Sequence, residues 1–231
     1  MAANPDRIFD SREAASTALA DHIAGILKTA ITKRGNASLV VSGGTSPLAT
    51  FHALHQQLLP WHNVTIVPSD ERLVPVDHAD SNEGMIRREL MQGEAKTAQL
   101  LSLAGDGVPG NERLAKLNSQ LESIHGPLDI VVLGMGNDGH TASLFPNSAD
   151  IDYALSTSNR CIVQHPGHLK TARLTLTPAL LLDSREIVLL FFGIEKLAVY
   201  DRALASGSNK ELPVRFVLHQ KVTPVSVFWA P

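Results

Sequence analysis

Residues 126–146, GPLDIVVLGMGNDGHTASLFP, contain a break, a strand and a loop in direct succession. Gly126-Pro127 stops any preceding helix. The LDIVVLG run that follows has the length of a strand and is almost wholly apolar. A strand that lacks polar alternation is one buried on both faces, the position of a parallel strand covered by helices above and below. The run ends at Gly134-Met135-Gly136-Asn137-Asp138-Gly139-His140, and in open parallel sheets ligands bind beyond the carboxyl ends of the strands. This one segment therefore predicts both a fold class and a place to look for chemistry.

The rest of the chain repeats the pattern. Residues 12–33 carry Ala15, Leu19, Ile23, Ile26, Leu27 and Ala30 at helical spacing, with Gly35 as a C-terminal stop. SLVVSGG is a short buried strand running into glycines, and the next helix has Ser46 as N-cap and Pro47 at its first position, ending by Pro60. VTIVPSDER is a strand plus loop, 81–91 is helical, QLLSLAG is a third strand, and 111–125 is helical after the turn-rich GDGVPGN. RCIVQH, RLTLT, EIVLLFF and VSVFW supply later strands, with helices starting at Thr177-Pro178 and after Gly193. Alternating strands and helices predict an α/β fold, a mainly parallel sheet covered by helices on both faces. No repeat or linker divides the chain, so residues 1–231 are expected to form one domain.

Of the 231 residues 44% are hydrophobic, enough for one sizeable core. A formal net charge of −3, with Lys and Arg scattered, gives no field for nucleic acid or an anionic membrane. A small anionic ligand needs only a few local cations. Cys161 is the single cysteine, which rules out an internal disulfide framework and a Cys-based zinc site. The N-terminal MAANPDRIFDSREAAS has no apolar run, and no stretch approaches the roughly 18 apolar residues of a membrane span. A cytoplasmic protein is expected, and the sequence points to no protein partner.

Three loops after strands carry chemistry. In Ser42-Gly43-Gly44-Thr45-Ser46, backbone N–H groups can approach an anion without side chains in the way, although a plain strand-to-helix turn has the same composition. No Gly-Lys-Ser/Thr follows, so it is not a P-loop. Ser69-Asp70-Glu71-Arg72 puts two carboxylates and a guanidinium at the end of VTIVP; such a triplet is often only a solvated turn with a weak ion pair. Gly134 to His140 formally matches the G-x-G-x-x-G dinucleotide pattern, but Pro146 leaves little room for the crossover helix that pattern requires. The loop is read instead as carrying His140 and Asp138 into the crevice. Imidazole, with an ordinary pKa of roughly 6.5, can take a proton from water and return it. Lone histidines are mostly structural or solvated, and His22, His52 and His55 are read that way. Arg173, opening RLTLT, and Lys196, at a helix start, are candidate phosphate contacts that taken singly are ordinary surface charges.

SGGTSP, SDERLVP, DSNEGMIRREL, LDIVVLGMGNDGHTASLFP, RLTLT and the lysine of GIEK occur in an order that resembles the glucosamine-6-phosphate isomerase/6-phosphogluconolactonase family, on its lactonase branch, over about residues 10–230. The resemblance implies a Rossmann-like sheet, no metal and no cofactor. It also implies hydrolysis of 6-phospho-D-glucono-1,5-lactone to 6-phospho-D-gluconate in the oxidative pentose phosphate pathway. His140 would be the base with Asp138 beside it, and Gly43, Gly44, Thr45, Asp70, Arg72, Arg173 and Lys196 the substrate or phosphate contacts. Glu83 departs from the pattern, which has an aromatic residue after the Ser-Asn pair, so Asn82 carries no assigned role. The related amino-sugar phosphate deaminases have a glutamate five residues after the loop histidine; here that position is Phe145, which cannot accept a proton. A sugar-phosphate-sensing effector domain would need a DNA-binding module, and the first strand begins by about Ser38 after a single helix.

Overall fold

The computed structural model describes residues 7–103, 109–124, 126–166 and 171–231. In chain order the elements are β1 (Arg7–Ile8), α1 (Arg12–Arg34), β2 (Ala37–Val41), α2 (Leu48–Leu54), β3 (Val64–Pro68), β4 (Asp70–Arg72), α3 (Asn82–Glu89), β5 (Gln99–Leu100) and α4 (Asn111–Glu122). The second half comprises β6 (Ile130–Gly134), α5 (Ile151–Ser156), β7 (Cys161–Gln164), β8 (Arg173–Leu176), α6 (Pro178–Leu181), β9 (Ile187–Phe192), α7 (Ile194–Leu204), α8 (Arg215–Leu218) and β10 (Val225–Ala230).

Seven strands form one sheet in the order β1-β10-β9-β6-β2-β3-β5, every adjacent pair parallel. From β2 the chain moves outward through β3 and β5 on one side, then returns to β6 and moves outward through β9 and β10 on the other. The reversal falls between β2 and β6, and the loops leaving those two strands splay apart there to form a crevice. They are the Gly43-Gly44 turn and the His140 loop.

The strands are buried on both faces, as their apolar runs require. Leu39, Val41, Ile130, Val132, Val188 and Leu190 pack with Leu19, Ile23 and Leu27 of α1 and Phe51 of α2. The alternate residues Val40, Val131, Leu133, Ile187, Leu189 and Phe191 pack with Leu117 of α4 and Val199 of α7. Each fully buried side chain of this size contributes about 1.5–3 kcal/mol relative to exposure, which fixes strand register. Helix α1 is bounded as its sequence predicts: the Ser11 hydroxyl accepts the Ala14 N–H at 3.1 Å, and Gly35 turns left-handed at φ 81° to close the last turn.

Several local expectations are corrected. Pro47, not Ser46, occupies the N-cap of α2, and no side chain caps that end. The helix itself ends at Leu54, before Pro60 as expected. QLLSLAG pairs only over Gln99–Leu100. The strands in RCIVQH and RLTLT do not extend the parallel sheet; with Asp70–Arg72 they form a separate antiparallel sheet in the order β4-β8-β7. Short apolar runs do not encode their partner strand, so this assignment rested on tertiary packing. The predicted helix 111–125 ends at Glu122, and its last residue, His125, lies outside the described residues, as do residues 105–108 of the turn-rich stretch before it.

Candidate active site

The turn after β2 presents backbone rather than side chains. Gly44 takes the left-handed conformation at φ 85°, and a Cβ on Gly43 would fall 2.0 Å from the Asn82 side-chain oxygen. Both glycines are therefore required, one by its dihedral and one by a close approach. Among the described residues the N–H groups of Gly43, Gly44, Thr45 and Ser46 donate to no protein acceptor. Four such donors on residues that line one crevice are suited to an anion.

Next to this turn, β4 separates its two carboxylates. Asp70 faces the crevice, accepting hydrogen bonds from the Ser143 hydroxyl at 2.6 Å and the Ser69 hydroxyl at 3.0 Å. Glu71 points away and is fully buried. It accepts the backbone N–H groups of Arg72 at 2.7 Å, Asn82 at 2.8 Å and Glu83 at 2.6 Å, and the Ser81 hydroxyl at 3.1 Å. Burial pushes its carboxyl up, and the hydrogen bonds only partly offset that. Glu71 thus fastens the start of α3 to β4 and sets Asn82 against Gly43; the Asn82 amide donates to the Asp70 carbonyl at 2.8 Å. Glu83, the departure from the family pattern, pairs with Arg87 at 2.7 Å and the Ser102 hydroxyl at 2.6 Å instead of lining the crevice.

Arg72 lies directly across the antiparallel pair from Arg173. Neither forms an ion pair among the described residues; Arg72 donates to the Asp80 carbonyl and Arg173 to the Thr171 carbonyl, each at 2.6 Å. Burial and then the Arg72 charge hold the Arg173 guanidinium below its ordinary range. Like charges facing each other across a ladder destabilise the sheet. An anion between them removes that cost.

The Gly134–His140 loop is a closed turn. The Gly136 N–H donates to the His140 carbonyl at 2.9 Å and the Gly139 N–H to the Gly136 carbonyl at 3.0 Å, so it does not open into a crossover helix. The next helix, α5, begins only at Ile151. The carboxylate of Asp138 is 2.5 Å from His140 Nδ1 and accepts the His140 backbone N–H at 3.1 Å. Burial works to raise the Asp138 carboxyl, but the hydrogen bond and charge of His140 outweigh it and leave it below the ordinary carboxylate range. The Phe145 ring packs 4.5 Å from the imidazole, centroid to centroid. With Nδ1 on Asp138, Nε2 is the ring atom left for chemistry.

Lys196 sits in the first turn of α7, after Gly193 at φ 90°. It has no hydrogen bond or ion pair among the described residues, and burial, then the Arg12 charge, lower its pKa.

Gly43, Gly44, Thr45, Asp70, Arg72, His140 and Lys196 line one cavity of about 250 Å³. Asp138 and Arg173 are not in the lining; Asp138 is bonded to His140, and Arg173 is paired in register with Arg72. Asn82 is also in the lining, and Ser143 supports Asp70. Neither was singled out from sequence, because each acts through a partner remote in the chain. A larger hollow of about 500 Å³ lies at the opposite ends of the strands, around Asn36, Gln99 and Asp129. There the one carboxylate, Asp129, is already engaged by Arg34, Arg185 and Ser38. Among the described residues no group of three or more His, Cys, Asp or Glu could hold a metal ion. Among the described residues no helix is long and apolar enough to cross a membrane.

Residues 10–229 match the family model described as glucosamine-6-phosphate isomerases/6-phosphogluconolactonase. A 6-phosphogluconolactonase of Mesorhizobium japonicum is 40% identical over 226 residues, 96% of this chain and 94% of that protein. One of Pseudomonas aeruginosa is 38% identical, covering 97% of this chain and 94% of that protein. A crystal structure of a 6-phosphogluconolactonase from Shewanella baltica OS155 superposes with a TM-score of 0.94 at 39% identity over 99% of each chain. A monomeric glucosamine-6-phosphate deaminase shares the fold alone, with a TM-score of 0.78 at 17% identity over 97% of each chain.

Proposed function

The chain belongs to the glucosamine-6-phosphate isomerase/6-phosphogluconolactonase family, and from that premise we propose that it hydrolyses 6-phospho-D-glucono-1,5-lactone with His140 as the base that activates water. The observation that carries the reading is an imidazole, seated on Asp138, in the same cavity as four unengaged backbone N–H groups and an unpaired lysine. One part suits proton transfer, the other a phosphate.

In the reaction, the phosphate docks on the Gly43–Ser46 turn and the cations Lys196, Arg72 and Arg173, which holds the lactone carbonyl beside His140. Asp70 accepts from a sugar hydroxyl. Nε2 of His140 takes a proton as water oxygen bonds to the carbonyl carbon, and the resulting oxyanion is stabilised by backbone N–H groups of a glycine loop that the phosphate leaves unengaged. Collapse breaks the bond to the ring oxygen, which receives the proton from imidazolium, leaving 6-phospho-D-gluconate. Asp138 keeps Nδ1 protonated and supports the cation in between, as a carboxylate behind a catalytic imidazole does. Phe145 packs against His140 where ring-opening amino-sugar chemistry would need an acid, which favours lactone hydrolysis over deamination. The setting is the cytoplasm, consistent with a single buried cysteine, and the ligand is a small sugar phosphate rather than nucleic acid. The chain acts as one unit, with the seven-stranded sheet at the centre of its described residues.

The test is hydrolysis, corrected for spontaneous opening, of phosphorylated and unphosphorylated gluconolactone by wild type and His140→Ala. Loss of the base should cost about 10² to 10⁴ in rate. Wild-type rates in His140→Ala, or equal rates on the two lactones, would remove the assignment.

A further inference from the structure

Gly136 is a glycine for a reason its own backbone does not supply. Unlike Gly44, Gly139 and Gly193, it is not left-handed, so an L-residue fits its main chain. A Cβ at this position would nevertheless lie 2.2 Å from both Cε1 and Nδ1 of His140 and 2.6 Å from the Asp138 carboxylate. Those are contacts that real side chains do not make, and the atoms met are those of the imidazole and its partner. Gly139 differs: its φ of 81° demands glycine, and its added Cβ would strike Leu212.

The Gly136 main chain cannot retreat. Its N–H is bound to the His140 carbonyl at 2.9 Å and its carbonyl accepts the Gly139 N–H at 3.0 Å. An added methyl group is therefore relieved by displacing the His140 and Asp138 side chains, not by moving the loop. We propose that Gly136 is a positioning residue for the reaction, its missing side chain being the hollow in which the imidazole lies. The ring is then confined by Gly136, by Asp138 at Nδ1 and by Phe145 at 4.5 Å, which leaves Nε2 as the open ring nitrogen of a side chain that lines the cavity. This rests on the reading of His140 as the base.

The closing experiment compares Gly136→Ala, His140→Ala and the double variant by steady-state kinetics on the phosphorylated lactone, kcat against pH, and thermal unfolding. A displacement of about 1 Å can cost on the order of 10²-fold. Gly136→Ala should lose about that in kcat, with KM within about threefold because the phosphate contacts are untouched, and with an altered kcat–pH profile. In the His140→Ala background the same change should cost no further activity, and the double variant should melt at or above the temperature of His140→Ala. If Gly136→Ala alone fails to fold while the double variant folds, the proposal also stands. Wild-type kcat in Gly136→Ala, a further loss in the double variant, or equal drops in melting temperature in both backgrounds overturns it. Wild-type activity in His140→Ala instead removes the base assignment, whatever Gly136→Ala does.

Discussion

Replacing Asp138 with asparagine removes one charge and leaves the loop its shape. The asparagine carbonyl can still accept the His140 backbone N–H that Asp138 accepts at 3.1 Å, so the turn is retained. What is lost is the carboxylate facing Nδ1 at 2.5 Å. A hydrogen bond to a charged group contributes about 1.5–3 kcal/mol. The His140 and Asp138 side chains are 33% and 44% exposed, so solvent screens the pair and the lower part of that range, about 1.5–2 kcal/mol, applies. At about 1.4 kcal/mol per tenfold, kcat should fall by about 10- to 30-fold. KM should move little, because Asp138 engages His140 and has no assigned contact with the phosphate. The acid limb adds a signed test. A carboxyl held below its ordinary range makes its contribution above that range and loses it as pH falls through the depressed value. The stability that the carboxylate adds, read as the difference in urea unfolding between wild type and Asp138→Asn, should therefore be present above about 3.9, the ordinary Asp value, and be lost only below it. The assay is chromatographic measurement of the phosphorylated acid, corrected for spontaneous opening. A kcat within twofold of wild type, or a loss confined to KM, would refute the reasoning.

Two further outcomes are expected. Arg173→Gln relieves the like-charge contact with Arg72, so the melting temperature should stay level or rise, while KM for the phosphorylated lactone rises about tenfold and the unphosphorylated lactone is unaffected; equal KM changes on both lactones would count against a phosphate role. Far from the cavity, Glu186 accepts from His22 at 2.7 Å and the Ser226 hydroxyl at 2.8 Å; burial raises its carboxyl, but these partners and the charges of His22 and Arg7 hold it below the ordinary range. Its stabilisation is present above the ordinary Glu value of about 4.3 and is lost as pH falls through the lower folded value, so Glu186→Gln should cost about 1 kcal/mol at neutral pH and nothing in strong acid, measured by urea unfolding.

Much of the site was legible because its backbone signals are local. Gly43-Gly44 and the glycines before His140 announce places where side chains must be absent, and a buried strand before each puts them at the carboxyl edge of a sheet. What was not legible was the partner of each group. Asp70 and Glu71 are adjacent in the chain, yet strand alternation sends one to the cavity and the other to the start of α3. Ser143 reaches Asp70 across 73 positions, and nothing in its neighbourhood signals that hydrogen bond. The glycine pattern at Gly134–Gly139 by itself would have suggested a dinucleotide; the closed turn and the contacts of Gly136 with His140 give those glycines a different use.

The sequence by itself determined the alternation of strands and helices, the burial of the strands on both faces, the two glycine loops and the imidazole with its adjacent carboxylate. All of these are properties of neighbouring residues, set by periodicity, side-chain volume and backbone freedom. Only the tertiary structure decided that the reversal of strand order falls between β2 and β6. It also assigned Asp70–Arg72, Arg173–Leu176 and Cys161–Gln164 to their own antiparallel sheet, and so set Arg72 against Arg173. Strand order and pairing are chosen by the packing of many distant side chains at once, and no short stretch of the chain contains that sum.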